Sequence, residues 1–259
     1  MATLYAADAA MAATMPRMSS PFMRIPHHNR GARLGVFAAG VAVGYLAPGL
    51  AASVPPLRRV LGVGDSIGDP GAVALTFDDG PHPQGTPAVL EVLRERGAPA
   101  TFFLAGEQVE ARPALAAEIV AAGHEVAVHC RRHRNLLRLA PWQVADDLRR
   151  AEAVIAEAAQ REPRLYRPPY GVFNAAALRH ARARAWRPLL WTRWGHDWER
   201  RATPQSIAAE LTDGLRGGDV LLLHDADYYS AIGSWQRTAA ALPRVLDACG
   251  EAGLRVVAA

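Results

Sequence analysis

Two adjacent carboxylates, Asp78 and Asp79, close the apolar run Val73-Ala74-Leu75-Thr76-Phe77 and stand immediately before Gly80-Pro81. Side chains of a strand alternate between its faces, and like charges side by side repel. Two acids are therefore tolerable where a strand ends and a cation waits. Farther along, His129 and His133 flank Cys130-Arg131-Arg132. Their spacing of four would aim both imidazoles at one point from a helical turn. One carboxylate and two imidazoles make a metal site with positions open for water and substrate, and the second carboxylate is left for base chemistry.

The surrounding pattern says what must hold these groups. Short apolar runs at 73–77, 100–104, 125–129, 165–167, 188–191, 219–224 and 254–257 are expected as strands. Amphipathic segments at 86–96, 107–122, 141–159, 174–184, 203–215 and 235–252 are expected as helices, with Asn174, Thr203 and Ser234 as N-caps and Gly97, Gly123 and Gly253 near the helix ends. Strands alternating with helices argue a parallel α/β sheet or barrel, whose chemistry collects at the C-terminal strand ends. Asp78-Asp79, His129, Arg167, Asp197 and His224-Asp225 each follow an apolar run and satisfy that rule.

Composition bounds the rest. The chain has 259 residues, half of them hydrophobic, enough for one sizeable core. Its net charge of +4 comes with 29 basic residues that are all Arg. An Arg-only, Ala-rich composition without a basic tract or an Arg/aromatic repeat gives no nucleic-acid face. Cys130 and Cys249 lie far apart and imply no disulfide framework. The run 34–54 carries no charge and follows Arg17, Arg24, Arg30 and Arg33. At about the 20 residues needed to cross a bilayer, it is expected to be an export signal or a membrane anchor. Residues 1–54 are thus read as a basic region and signal or anchor, 55–70 as a linker, and 71–259 as a catalytic domain.

Taken together, the motifs resemble the polysaccharide deacetylase family, also called the NodB-homology domain or carbohydrate esterase family 4. Thr76-Phe77-Asp78-Asp79-Gly80-Pro81, His129 to His133, Arg167-Pro168-Pro169-Tyr170-Gly171, Trp191 to Trp198 and Leu222-Leu223-His224 match its five motifs in order. The resemblance implies a distorted (β/α) barrel of about seven parallel strands. It also implies that Asp79, His129 and His133 hold a divalent metal, zinc first, with cobalt, nickel or manganese possible. Asp78 would be the general base, held ionised by Arg167, and His224 the general acid. The backbone N–H of Tyr170 would help stabilise the oxyanion, and Leu222 and Trp198 would line a pocket for the acetyl methyl group.

Two positions depart from the family pattern. Trp194 stands three residues before Asp197-Trp198, where the family often has an Asp that orients the catalytic histidine, so either Asp197 or Asp225 must partner His224, or the acid is weaker than usual. Cys130 replaces the usual Ser or Thr between the histidines, as a thiol that is either packed and inert or close enough to ligate. The remaining His82 borders the site loop and is expected to be able to reach sugar. The expected activity is removal of N-acetyl groups from an amino-sugar polymer outside the cytoplasmic membrane. An O-deacetylase of the acetylxylan type would use the same residues, and a catalytically silent glycan-binding domain would keep the fold but erode Asp78 or His224.

Overall fold

A computed structural model describes residues 44–49 and 53–259, all within one compact unit, Ala39–Ala259. Strands β1 (Ala72–Asp78), β2 (Thr101–Leu104), β3 (Glu125–Val128), β4 (Leu165–Tyr166), β5 (Arg187–Pro188), β6 (Arg193–Trp194), β7 (Val220–His224) and β8 (Arg255–Val257) form one sheet. Its order is β5-β4-β3-β2-β1-β7-β6, with β8 also paired to the start of β1, and every ladder is parallel. The two edge strands, β5 and β6, are joined by residues 189–192 alone, so the sheet curls toward closure as a half-barrel. The barrel expectation holds in this opened form, with one strand more than anticipated.

Alongside the sheet are helices α1 (Pro55–Val60), α2 (Gly85–Arg96), α3 (Gly106–Ala111), α4 (Pro113–Ala121), α5 (Pro141–Ala159), α6 (Ala175–Ala183), α7 (Pro204–Thr212) and α8 (Ser234–Glu251), with short 3-10 turns at Leu136–Arg138 and Pro169–Gly171. Strand periodicity sorts the core into two layers. Val73, Leu75 and Phe77 of β1 belong to the large cluster shared with the helices. Each is fully buried and contributes about 1.5–3 kcal/mol by its transfer from water. Ala74 faces the other way, into a smaller cluster with Phe103, Ala127, Leu165, Leu189 and Val220. Thr76 and Asp78 continue that inner face, which fixes where the first carboxylate points.

Several boundaries moved. The helix expected over 107–122 is two helices, because Pro113 has no N–H to donate and disfavours a helical residue before it, and Arg112 sits at φ −146°, ψ 63°. The strand expected over 188–191 shortens to Arg187–Pro188, and an unforeseen short strand follows at Arg193–Trp194. Residues 55–70 carry α1, begun by Pro55-Pro56, and bridge the sheet through Gly64 to Leu189 and Ser66 to Asp219. Asn174 and Thr203 cap their helices as expected, whereas Gly233 takes the N-cap place before Ser234. Of the uncharged run 34–54, residues 34–43 and 50–52 lie outside the described residues, and residues 44–49 are helical. No helix among the described residues is long and apolar enough to cross a membrane.

Candidate active site

The cleft lies at the C-terminal ends of the central strands. Asp78 ends β1 on its inner face; Asp79 follows in the left-handed region, φ 79°, a conformation that Asp tolerates better than most residues. That reversal lets two consecutive carboxylates reach the same mouth. His129 lies just past β3, but 129–135 is an irregular loop containing Cys130 at φ 70°. The expectation of a helical turn for the two histidines is therefore corrected: the loop, rather than an i,i+4 face, brings them together.

Asp79 Oδ1 is 3.4 Å from His129 Nε2 and 3.6 Å from His133 Nε2. Ligand atoms of the three residues lie within 4.8 Å of one another. Around a tetrahedral ion with bonds of about 2.0–2.1 Å, neighbouring ligands sit roughly 3.3 Å apart. Asp79 Oδ1 is buried yet accepts no hydrogen bond, as expected of an atom whose partner is an ion. His129 Nδ1 donates to the Arg167 carbonyl at 2.8 Å, the assignment that satisfies that carbonyl and leaves Nε2 bare toward Asp79. Burial pushes the His133 imidazole down to about 4, so it too offers a lone pair at neutral pH. The three residues fit a divalent cation.

On one side, Arg167 is wholly buried. Its Nη1 donates to Asp78 Oδ1 at 2.7 Å and to Thr76 Oγ1 at 2.9 Å, while Nε and Nη2 reach the Leu189 and Leu190 carbonyls at 3.0 Å. Its guanidinium lies 4.0 Å from the Phe103 ring centroid. Burial lowers Arg167 from its ordinary value and Asp78 opposes that shift.

On the other side, His224 ends β7 directly opposite Asp78. Its Nδ1 is 2.9 Å from Asp197 Oδ1, and Asp197 Oδ2 accepts from the His224 N–H at 2.7 Å and from Thr238 Oγ1 at 2.8 Å. Burial alone would lower the His224 imidazole, but Asp197, with Asp79 and Asp78 nearby, raises it to about 10. The acid that partners His224 is thus Asp197. Asp225 instead accepts from Thr86 beneath Gly80, and burial pushes it up to about 7.

Residues 66–187 match the family model described as "Polysaccharide deacetylase". A peptidoglycan-N-acetylglucosamine deacetylase of Bacillus cereus is 33% identical over 187 residues, covering 71% of this chain and 84% of that protein. The chain belongs to the polysaccharide deacetylase family. A chitooligosaccharide deacetylase of Bradyrhizobium sp. is 39% identical over 155 residues, 60% of this chain and 70% of that protein. Among solved structures, a family 4 carbohydrate esterase from Streptomyces lividans in complex with acetate superposes with a TM-score of 0.65 at 32% identity, covering 73% of this chain and 92% of that one.

The cleft of this family member, about 280 Å³, is lined by Asp78, Asp79, His129, His133, Tyr170, Trp198, Leu222 and His224. Every residue expected at the site is therefore in its walls or, for Arg167 and Asp197, directly behind them. Trp198 meets His224 edge-to-face at 5.5 Å. Tyr170 has φ 60° in the turn after Pro168-Pro169, and its ring meets His133 edge-on at 4.6 Å.

Of the two readings left open for Cys130, the packed one holds: it is fully buried 3.6 Å from the Tyr166 hydroxyl, and burial raises its thiol well above the ordinary range. One expectation is corrected. His82 does not line the cleft: its Nδ1 accepts from the Gly85 N–H at 2.9 Å and its Nε2 faces Asp227 at 3.3 Å, pinning the loop before α2. Sequence reasoning missed Tyr229, which stacks on His133 at 4.3 Å and 14° and hydrogen-bonds Glu107 at 2.6 Å. Two consecutive tyrosines just past the His224 strand end were the available signal, but no fixed spacing singled them out.

Proposed function

We propose that this chain hydrolyses N-acetyl groups on an amino-sugar polymer, peptidoglycan or a chitin-like glycan, with Asp78 as base and His224 as acid. The observation that carries this reading is the pair of opposed clamps: Asp78 held by Arg167 and His224 held by Asp197, on either side of Asp79, His129 and His133.

Asp79, His129 and His133 would hold a divalent cation, zinc first, with cobalt, nickel or manganese as alternatives. Bound there, the cation supplies Lewis-acid polarisation of the acetyl carbonyl and a lowered pKa for water. Arg167 takes Asp78 Oδ1 and leaves Oδ2 to accept the proton of the water that attacks the carbonyl carbon. The backbone N–H of Tyr170 is the donor proposed for the resulting oxyanion. When the C–N bond breaks, His224 Nε2 donates its proton to the departing nitrogen, which otherwise leaves poorly as an anion. The products are acetate and a free amine. Leu222 and Trp198 wall the space for the acetyl methyl group.

A silent glycan-binding role would tolerate loss of Asp78 or His224, and both are present with their clamps intact. An extracytoplasmic location, secreted or held at the cytoplasmic membrane through 34–54, is part of the proposal. It is supported by the uncharged run itself and by a polymer that lies outside the cytoplasm.

The test is acetate release by the purified chain, with zinc or cobalt added, from N-acetylated chitooligosaccharides and from peptidoglycan. Asp78→Asn, which keeps the shape and an acceptor for Arg167, serves as control. Release that Asp78→Asn abolishes supports the proposal and ranks the polymers. A wild-type chain that binds one metal ion yet frees acetate from neither polymer, while freeing acetate from acetylated xylan, would move the assignment to O-acetyl substrates.

A further inference from the structure

Trp194 occupies the position where the family pattern often has an acid, and its side chain has no part in the chemistry proposed above. It ends the edge strand β6, paired with Leu222 of the cleft floor, and is 44% exposed. A single exposed aromatic is ordinary, but this one belongs to a patch. Its indole stands 5.7 Å from Trp191 and meets Trp198 edge-to-face at 6.1 Å. His196 also packs edge-on against it at 5.1 Å, and the three rings leave the indole partly exposed.

The space around it gives the patch a purpose. Trp194, Trp191 and Tyr170 line both the catalytic cleft and a second depression of about 370 Å³, which continues toward Arg58 and Ser53 at the other side of Gly171. Three shared walls make the two spaces one trough. Tyr170, 62% exposed, offers a second aromatic ring to that trough. A pyranose presents an apolar face of C–H groups and a rim of hydroxyls, so a fixed, half-exposed indole beside a solvated trough suits it. A buried-core role would require the ring to be covered.

We propose that Trp194 is a sugar-stacking platform for the residue next to the one being deacetylated, so that the site selects an extended glycan over a single acetylated sugar. This rests on the deacetylase reading of the adjoining cleft. Stacking of this kind, taken at the ~1.4 kcal/mol of a favourable ring contact, corresponds to about tenfold in affinity.

The experiment compares wild type, Trp194→Ala and Trp194→Phe on N-acetylglucosamine oligomers of one to five sugars. Acetate release is followed kinetically, and tetramer binding is measured by calorimetry. Trp194→Ala should raise KM for the tetramer about tenfold with kcat nearly unchanged, with a much smaller change for the single sugar, and Trp194→Phe should recover most of the loss. Thermal midpoints show whether each variant folds. An equal loss of kcat on every length would mean that Trp194 only packs Trp198, and no change on any length would mean it does nothing; either overturns the inference. Wild type that binds the tetramer in a Trp194-dependent way but frees no acetate would sink the deacetylase reading while leaving the platform standing. Wild type that neither binds nor cleaves any oligomer sinks both.

Discussion

At the scale of single residues, the site works by giving two titratable groups opposite environments. Asp78 is held by a buried guanidinium; His224 is held by a buried carboxylate that raises it to about 10 despite the opposing effect of burial. A general acid must carry its proton when the leaving group departs, so activity falls as pH rises through the His224 pKa. Replacing Asp197 by Asn keeps the Thr238 contact feasible but removes the negative charge. The His224 pKa then drops, and the alkaline limb of kcat/KM moves to lower pH by at least about one unit, since each unit is only ~1.4 kcal/mol of lost interaction. A cation held by Asp79, His129 and His133 would lower the His224 pKa in wild type and in Asp197→Asn alike, so the difference between the two profiles remains. A profile superimposable on wild type, in a variant with unchanged thermal midpoint, would mean that Asp197 is not what holds the proton on His224.

At the scale of elements, parallel strands of period two decide which groups can meet. Thr76 and Asp78 share the inner face of β1, and Arg167, just past β4, fills the space between them with four hydrogen bonds and a ring contact. Arg167→Lys supplies a point charge on a flexible stem in place of a planar fork. It leaves the Leu189 and Leu190 carbonyls or Asp78 unpaired in the interior. Breaking a buried pair costs about 3–5 kcal/mol, so urea unfolding of Arg167→Lys should show a loss of roughly 3 kcal/mol along with lost activity; a loss under about 0.5 kcal/mol would contradict the packing role. The strand ends that carry Asp78, His129, Arg167 and His224 were legible in the sequence because each closes an apolar run. The choice of Asp197 over Asp225 was not, since both follow a hydrophobic segment and only the curvature that puts 197 beside β7 separates them. Nor was the break at Arg112 read, although Pro113 was there to be seen. The spacing of His129 and His133 suggested the right partners for the wrong reason: two left-handed residues, Asp79 and Cys130, turn the loops inward, and positive φ leaves little mark on residues other than Gly.

At the scale of the whole molecule, the described part of the uncharged run packs on the catalytic unit. Residues 44–49 are not independent of it. The Tyr45 hydroxyl donates to the Leu139 carbonyl at 2.7 Å and accepts from Asn174 Nδ2 at 2.8 Å, and Asn174 also reaches the Leu136 carbonyl and caps α6. Pro48 is buried, and a Cβ at Gly49 would sit 3.2 Å from Leu137 and from the Phe173 carbonyl. Cleavage near 49–52 would discard these contacts and leave the Leu139 carbonyl and one Asn174 donor to water. The expected outcome is therefore retention: the chain recovered from its native host has an intact mass that includes Tyr45. Tyr45→Phe should lower stability by about 1 kcal/mol, the net worth of an ordinary hydrogen bond. A mature chain that begins after Gly49 and unfolds at the same urea concentration as the full-length protein would show instead that the catalytic unit is complete without this segment.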